Sequence, residues 1–304
     1  MGVVLGLSAG VFFSIASILA RFGMRFRSQD DGLFMSILMN VVVLGALTAT
    51  VDLPEWNTAR VVALVVGGVL GTFGGRASNL RAVRILGPSR ANAFLTGGPL
   101  VTALGGWAVL GEGISLVSGI GGMIVLVALS RIVVMRSSAL AVESRASIAE
   151  PEPKVVERDR SLGYLLAALA PILFGLAFVV RKWGLTEYPS AVAGAAIGAA
   201  AGLGVSLLGD VALARVGRRL RENLLHPPWW FIAAGAATSI ALVSQFYAFS
   251  FLPAWVVNLL QGTQVLWTLL LAGLFLRTEE RIDGRLVGSV ALVAVGVAAI
   301  TLQY

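Results

Sequence analysis

Ten stretches of about twenty predominantly apolar residues, each long enough to cross the hydrocarbon core of a bilayer, dominate this chain. They fall near residues 2–21, 32–51, 59–77, 88–110, 114–135, 162–181, 189–213, 228–250, 254–276 and 284–303. Composition agrees, with 57% hydrophobic and 13% charged residues, where a soluble domain carries about 25% charged. The expected fold is an all-α integral membrane protein with ten transmembrane helices. The N-terminus begins apolar, without the basic region or small-residue cleavage site of a signal peptide, so the first run is read as a retained span.

The one long polar interruption, SSALAVESRASIAEPEPKVVERDR at 137–160, mixes charge, Ser and Pro. It divides the chain into a first five-helix unit (1–136), a flexible charged linker (137–160) and a second five-helix unit (161–304). A basic segment at 215–225, RVGRRLRENLL, is read as ordinary loop charge in preference to a short helix on the headgroups.

The two units resemble each other. An offset of 161 lays ASILARFGM (16–24) over AFVVRKWGL (177–185), bringing Arg21 onto Lys182 and Gly23 onto Gly184. An offset of 166 places Thr72 on Thr238, Ser78 on Ser244, Asn79 on Gln245, Ala82 on Ala248, Asn92 on Asn258 and Thr102 on Thr268. Apolar helices agree at many positions by chance, so the ordered polar coincidences carry the argument. Five helices is an odd number, so the second unit crosses the membrane in the opposite sense, which makes the repeat inverted. Of the 23 Lys and Arg residues, 20 fall in the loops after the odd-numbered spans, leaving Arg60, Arg181 and Lys182 on the opposite face. Positively charged loops stay cytoplasmic, which puts both termini outside.

Order and spacing now show a family. The GP…P…LGE pattern ending the fourth span (Gly87, Pro88, Pro99, Leu110, Gly111, Glu112), its echo in LRTEE at 276–280, and the two inverted five-helix units resemble the EamA-like branch of the drug/metabolite transporter superfamily. The resemblance covers nearly the whole chain. It implies a secondary transporter or exporter of small organic metabolites, amino acids or drugs, with a substrate cavity formed by spans 1, 3, 4, 6, 8 and 9. Many such relatives carry cytoplasmic termini, opposite to the charge count here.

The stretch NLLQGTQVLW (258–267) places an Asn and two Gln within hydrocarbon, where an unpaired amide costs several kcal/mol. At 100° per residue Asn258, Gln261, Gln264 and Thr268 share an arc of about 120°. The same face of the fourth span carries Asn92 and Thr102. The third and eighth spans add Asn79, Thr238 and Gln245, and the first adds Ser14 and Ser17 beside Arg21. These residues are the expected substrate-binding set, preferred over a reading as interhelical glue. Arg21 and Lys182 end equivalent helices; they read first as snorkelling cations and second as a pair of gate cations. Arg76, Arg81 and Arg84 read as topology determinants first and anion attractors second, and Gly194, Gly198 and Gly202 as a packing device for the seventh span.

Missing chemistry narrows the function. No Asp or Glu lies mid-span, which disfavours proton coupling through a membrane acid and favours a neutral or zwitterionic solute. With no Cys and a lone His226 before Pro227, no metal or other cofactor is expected. The net charge of +7 is scattered through short loops without aromatic interleaving, so nucleic acid is not an expected partner. Small-molecule solute and membrane lipid are, with monomer and homodimer both open. The rival classes are an intramembrane, lipid-modifying enzyme, for which no cluster of acid, base and nucleophile exists, and a non-transporting scaffold. The expected location is the bacterial inner membrane.

Overall fold

A computed structural model describes residues 1–23, 29–86, 91, 94–147, 157–212, 229–276 and 284–303. Every regular element among them is helical. The first unit holds α1 (Gly2–Gly23), α2 (Gln29–Thr48), α3 (Thr58–Gly67), a π-helical stretch (Gly68–Gly75), α4 (Arg76–Leu86), α5 (Gly98–Leu110) and α6 (Leu116–Ser147). The second holds α7 (Glu157–Leu185), α8 (Ala191–Ala212), α9 (Trp229–Phe249), α10 (Ala254–Gly262), α11 (Gln264–Leu276) and α12 (Gly284–Thr301).

Five of these stretches are long and apolar enough to cross a membrane: Gly2–Ala20, Thr58–Ala82, Arg160–Leu185, Ala191–Leu208 and Trp229–Phe249. Shorter apolar helices occupy the other expected spans, among them Gly98–Leu110 and Leu116–Ile132. The expectation of continuous spans needs correction at two places. The ninth breaks at Thr263, where α10 ends and α11 begins. The fourth turns at 96–97 before restarting at Gly98 with Pro99 in its first turn, where the missing N–H costs nothing. Within the expected linker, α6 runs on to Ser147 and α7 starts at Glu157. The basic segment 215–225 and His226 lie outside the described residues.

The π stretch has a sequence cause. GVLGTFGG packs four glycines into eight residues, whereas the aligned AGAATSIA (234–241) of the regular helix α9 has Ala or Ile at those four places. Without side chains to pack along it, the wider turn costs less and the backbone is free to approach a neighbour. It does so on α8: a Cβ on Gly68 would overlap the Gly198 carbonyl, and one on Gly202 would meet Thr72 Cγ2 at 2.8 Å. The Gly194–Gly202 series is therefore the packing device expected.

Helices pair across the two halves. α1 runs antiparallel to α9, with Gly2 against Phe251 and Leu252 just beyond its end and Gly23 against Phe231 near its start. α7 runs antiparallel to the α3–α4 run, with Gly163 against Ile85 and Leu86, and Gly184 against Leu64. The main core joins α8, α9 and α10 around Phe246, Phe249, Trp255, Leu259 and Leu260. This arrangement carries the polar faces of α1, α5, α7 and α10 into the interior.

Candidate functional site

Asn258 on α10 donates through Nδ2 to Thr102 Oγ1 on α5 at 2.6 Å. Thr102, fully buried, directs its hydroxyl at the Gly98 and Gly175 carbonyls, 3.1 and 3.2 Å away. Ser14 on α1, also fully buried, directs its own at the Gly10 carbonyl (2.8 Å) and at the carbonyl of Gln264 (2.7 Å), the first residue after the break in the ninth span. The break frees carbonyls at the end of α10, and Thr263 answers the Leu260 carbonyl with both its N–H and its hydroxyl. Three expected residues, Ser14, Thr102 and Asn258, thus meet around the two interruptions, along with the backbone of Gln264.

Three more are buried without complete partners. Gln261 Oε1, Asn79 Oδ1 and Gln245 Nε2 are sealed from solvent and bond to nothing. Thr238 is buried and satisfies itself on the Ala234 carbonyl at 2.8 Å. Thr268 and the Gln264 side chain are half-buried. Ser17 departs from the expected group: it is exposed and donates to the Phe13 carbonyl of its own helix. Asn92 and the side chain of Arg21 lie outside the described residues.

Lys182 is not a free snorkelling cation. Its Nζ pairs with Glu112 Oε1 at 2.7 Å and donates to the Leu252 carbonyl. Glu112 accepts the Ala254 N–H on both oxygens, at 2.9 and 3.0 Å, and so caps the start of α10 with a negative charge where the helix dipole favours one. The node ties the α5–α6 turn, the end of α7 and the α9–α10 turn together at the end of the bundle where the chain begins. A second tie sits close by: Arg60 pairs with Glu187 at 2.5 Å, lies 4.1 Å over the Trp183 ring and donates to the Trp183 carbonyl. That hydrogen-bonded guanidinium, helped by Asn57, holds the exposed Glu187 carboxyl below its ordinary value. An open pocket of about 340 Å³ at this end is lined by Asp52, Pro54, Ser190, Val192 and Tyr247, and contains none of the expected site residues.

Two residues read from the sequence as loop cations are corrected. Arg181 is 5% exposed, with Nη2 donating to Thr72 Oγ1 at 2.9 Å, and Arg76 is half-buried. The available signal was angular: consecutive residues point about 100° apart on a helix, so Arg181 and Lys182 cannot both snorkel along one face. Sequence reasoning also misses Asn40. It is fully buried and meets Ser239 at 3.1 Å between α2 and α9, and with its Nδ2 turned toward the Ser36 and Gly235 carbonyls every polar atom has a partner. That is interhelical glue, and the unmatched atoms of Gln261, Asn79 and Gln245 differ from it in kind.

A bundle of long apolar helices with a buried polar seam and paired halves defines a multi-pass membrane protein. The chain belongs to the EamA-like transporter family, whose model matches residues 1–134 and 161–302, and so to the drug/metabolite transporter superfamily. A crystal structure that aligns over 99% of this chain and 96% of its own has a TM-score of 0.71 at 17% identity, which shows a shared fold. No curated protein sequence matches the chain.

Proposed function

We propose that this protein is a secondary transporter that moves a small organic metabolite, such as an amino acid or drug-like solute, across the bacterial inner membrane. It works as an exporter or exchanger by alternating access between two inverted five-helix units, 1–136 and 161–304, joined through 137–160. The observation that carries the reading is the set of unmatched amide atoms on Gln261, Asn79 and Gln245. Each costs about 1–3 kcal/mol to bury alone, a cost a solute removes when it bonds there.

Two further features support it. The offsets that align the sequence halves also relate contacts between them. Moving Gly2 by 161 and Phe251 and Leu252 by 166 yields the packing of Gly163 on Ile85 and Leu86. The same operation turns the Ser14 bond to the Gln264 carbonyl into the approach of Gly175 to the Gly98 carbonyl. The breaks at Gly97 and Thr263 are themselves 166 residues apart, and paired discontinuous helices near the midplane are where secondary transporters bind their cargo.

Reconstituted protein loaded with labelled amino acids and assayed for flux tests the reading. Gln261→Leu should abolish flux while expression and melting temperature hold. Unfolding of that variant, or flux equal to wild type, refutes the site.

A further inference from the structure

We propose that Arg181, backed by Arg76, is an anion subsite of the transport path, so that the solute carries a carboxylate or comparable small anionic group. This rests on the transporter reading above and adds a charge requirement to it.

Arg181 sits within the apolar stretch Arg160–Leu185 and is 95% shielded, yet among the described residues it has one hydrogen bond, to Thr72, while its Nε–H is buried with no acceptor. Its other neighbour is the Phe246 ring, 5.8 Å from the guanidinium carbon to the centroid. No carboxylate pairs with it among the described residues, and the charge that acts on it from nearby is another cation, Arg76. Of the acids at that end, Glu112 is committed to Lys182 and Ala254 and Glu187 to Arg60 and Asn57, while Asp52 lines the open pocket. A buried cation without a counter-ion destabilises a fold, and two close together more so. Such a group persists when something other than the fold requires it.

The duplication separates the two kinds of requirement. Positions that packing needs recur in both halves, as Lys182 recurs in Arg21. Arg181 aligns with Ala20 under the offset of 161, and Arg76 with Leu242 under the offset of 166. The architecture therefore stands without either cation: Arg76 is present in the first half alone and Arg181 in the second alone. Room for the guanidinium is made by the glycines opposite: a Cβ on Gly67 would lie 2.6 Å from Arg181 Cγ, and one on Gly71 2.8 Å from Nη2. An unpaired guanidinium edge in a dry wall matches a carboxylate, which takes paired N–H donors. A zwitterionic amino acid meets the requirement through its carboxylate, while the unmatched acceptors Gln261 Oε1 and Asn79 Oδ1 are suited to donors elsewhere on the solute.

The test measures melting temperature of detergent-purified protein against the common L-amino acids, short mono- and dicarboxylates and inorganic phosphate, each carboxylate matched with its amide. At least one carboxylate should stabilise wild type where its amide does not, and Arg181→Met should weaken that apparent affinity by about tenfold or more. Phosphate stabilising in place of every carboxylate would reassign the anion and overturn the carboxylate class. Arg181→Lys should keep part of the effect, and ligand-free Arg181→Met should melt at or above the wild-type temperature. The inference falls if no carboxylate outperforms its amide, if the shift survives Arg181→Met, or if ligand-free Arg181→Met melts well below wild type and Arg181→Lys restores it. Flux in proteoliposomes separates the two readings. An uncharged solute carried equally by wild type and Arg181→Met leaves the transporter standing and overturns the anion subsite; carboxylate binding without flux of any solute overturns the transporter.

Discussion

Lys182→Met removes one arm of the node that closes the bundle where the chain begins. Lys182 and Glu112 lie 2.7 Å apart with side chains 19% and 9% exposed, and Lys182 also holds the Leu252 carbonyl. Removing one partner of a buried pair costs about 3–5 kcal/mol. Glu112 keeps its two bonds from Ala254 and Lys182 is partly wet, so about 2 kcal/mol is the better figure here. If solute enters or leaves at that end, the turns bearing Glu112 and Leu252 must part, and the loss falls on the closed state alone. The opening equilibrium then rises by about 30-fold. The chain has no cysteine, so Thr102→Cys is a single reporter beneath the node. Its labelling by an impermeant maleimide should accelerate toward 30-fold in the Lys182→Met background, with Glu112→Gln giving a similar gain and the double variant little more. Equal labelling rates with and without Lys182 would refute a gating role and leave the node a static staple.

Asn258→Leu or Thr102→Val alone strands a buried partner and should cost about 1–3 kcal/mol, while the double variant is less destabilised than the sum, measured as a thermal double-mutant cycle. Gly68→Ala drives a methyl into the Gly198 carbonyl and should lower stability by about 1–3 kcal/mol, where Gly45→Ala, whose Cβ meets nothing, should not. Glu187 is an acid whose folded pKa the Arg60 guanidinium holds below its ordinary value, so its tie to Arg60 contributes above the unfolded value and is lost as pH falls through the lowered one. Melting temperatures of wild type and Glu187→Gln should accordingly differ near neutrality and converge in acid.

Much of the fold is legible in the sequence alone. Hydrocarbon length and helical period locate the runs, because a membrane leaves the backbone few options. The polar coincidences locate the pairing: Asn258 and Thr102 belong to two separate repeat pairs, and they bond to each other across the halves. Two kinds of feature escape such reading. Helix breaks within apolar runs are unevenly marked: Gly97, Gly98 and Pro99 offer breaker residues at the first, whereas Thr263 at the second is an ordinary residue in a span. Charge placement escapes as well. Arg181 at the end of an apolar run counts in the sequence only as a charge on the face opposite the cytoplasmic loops, and only the glycines opposite, Gly67 and Gly71, reveal that it has room to turn inward. Ser17 fails for a simpler reason: sharing a helical face with Ser14 within the tolerance of a pattern still left it exposed, bonded to its own helix.

The departures between the halves are where function separates from architecture. On the inverted duplication proposed above, packing contacts such as Gly2 on Leu252 and Gly163 on Leu86 come in pairs, so a residue needed for them is under the same demand twice. Thr72 and Thr238 illustrate the effect of lifting that demand from one copy. Thr238 closes its hydrogen bond inside α9, on the Ala234 carbonyl. Thr72 lies in a stretch widened by glycine, and its hydroxyl instead receives Arg181. The aligned hydroxyl thus serves backbone satisfaction at Thr238 and holds a buried cation at Thr72. The glycines that let the π stretch form also make the space that the guanidinium fills, so the loosened helix and the charge form a single device. Making the halves alike at both positions, with Gly71→Ala to match Ala237 and Arg181→Ala to match Ala20, should return a regular helix and a stable bundle while removing discrimination between an acid and its amide. A stable double variant that still discriminates would show that charge selection resides elsewhere in the seam.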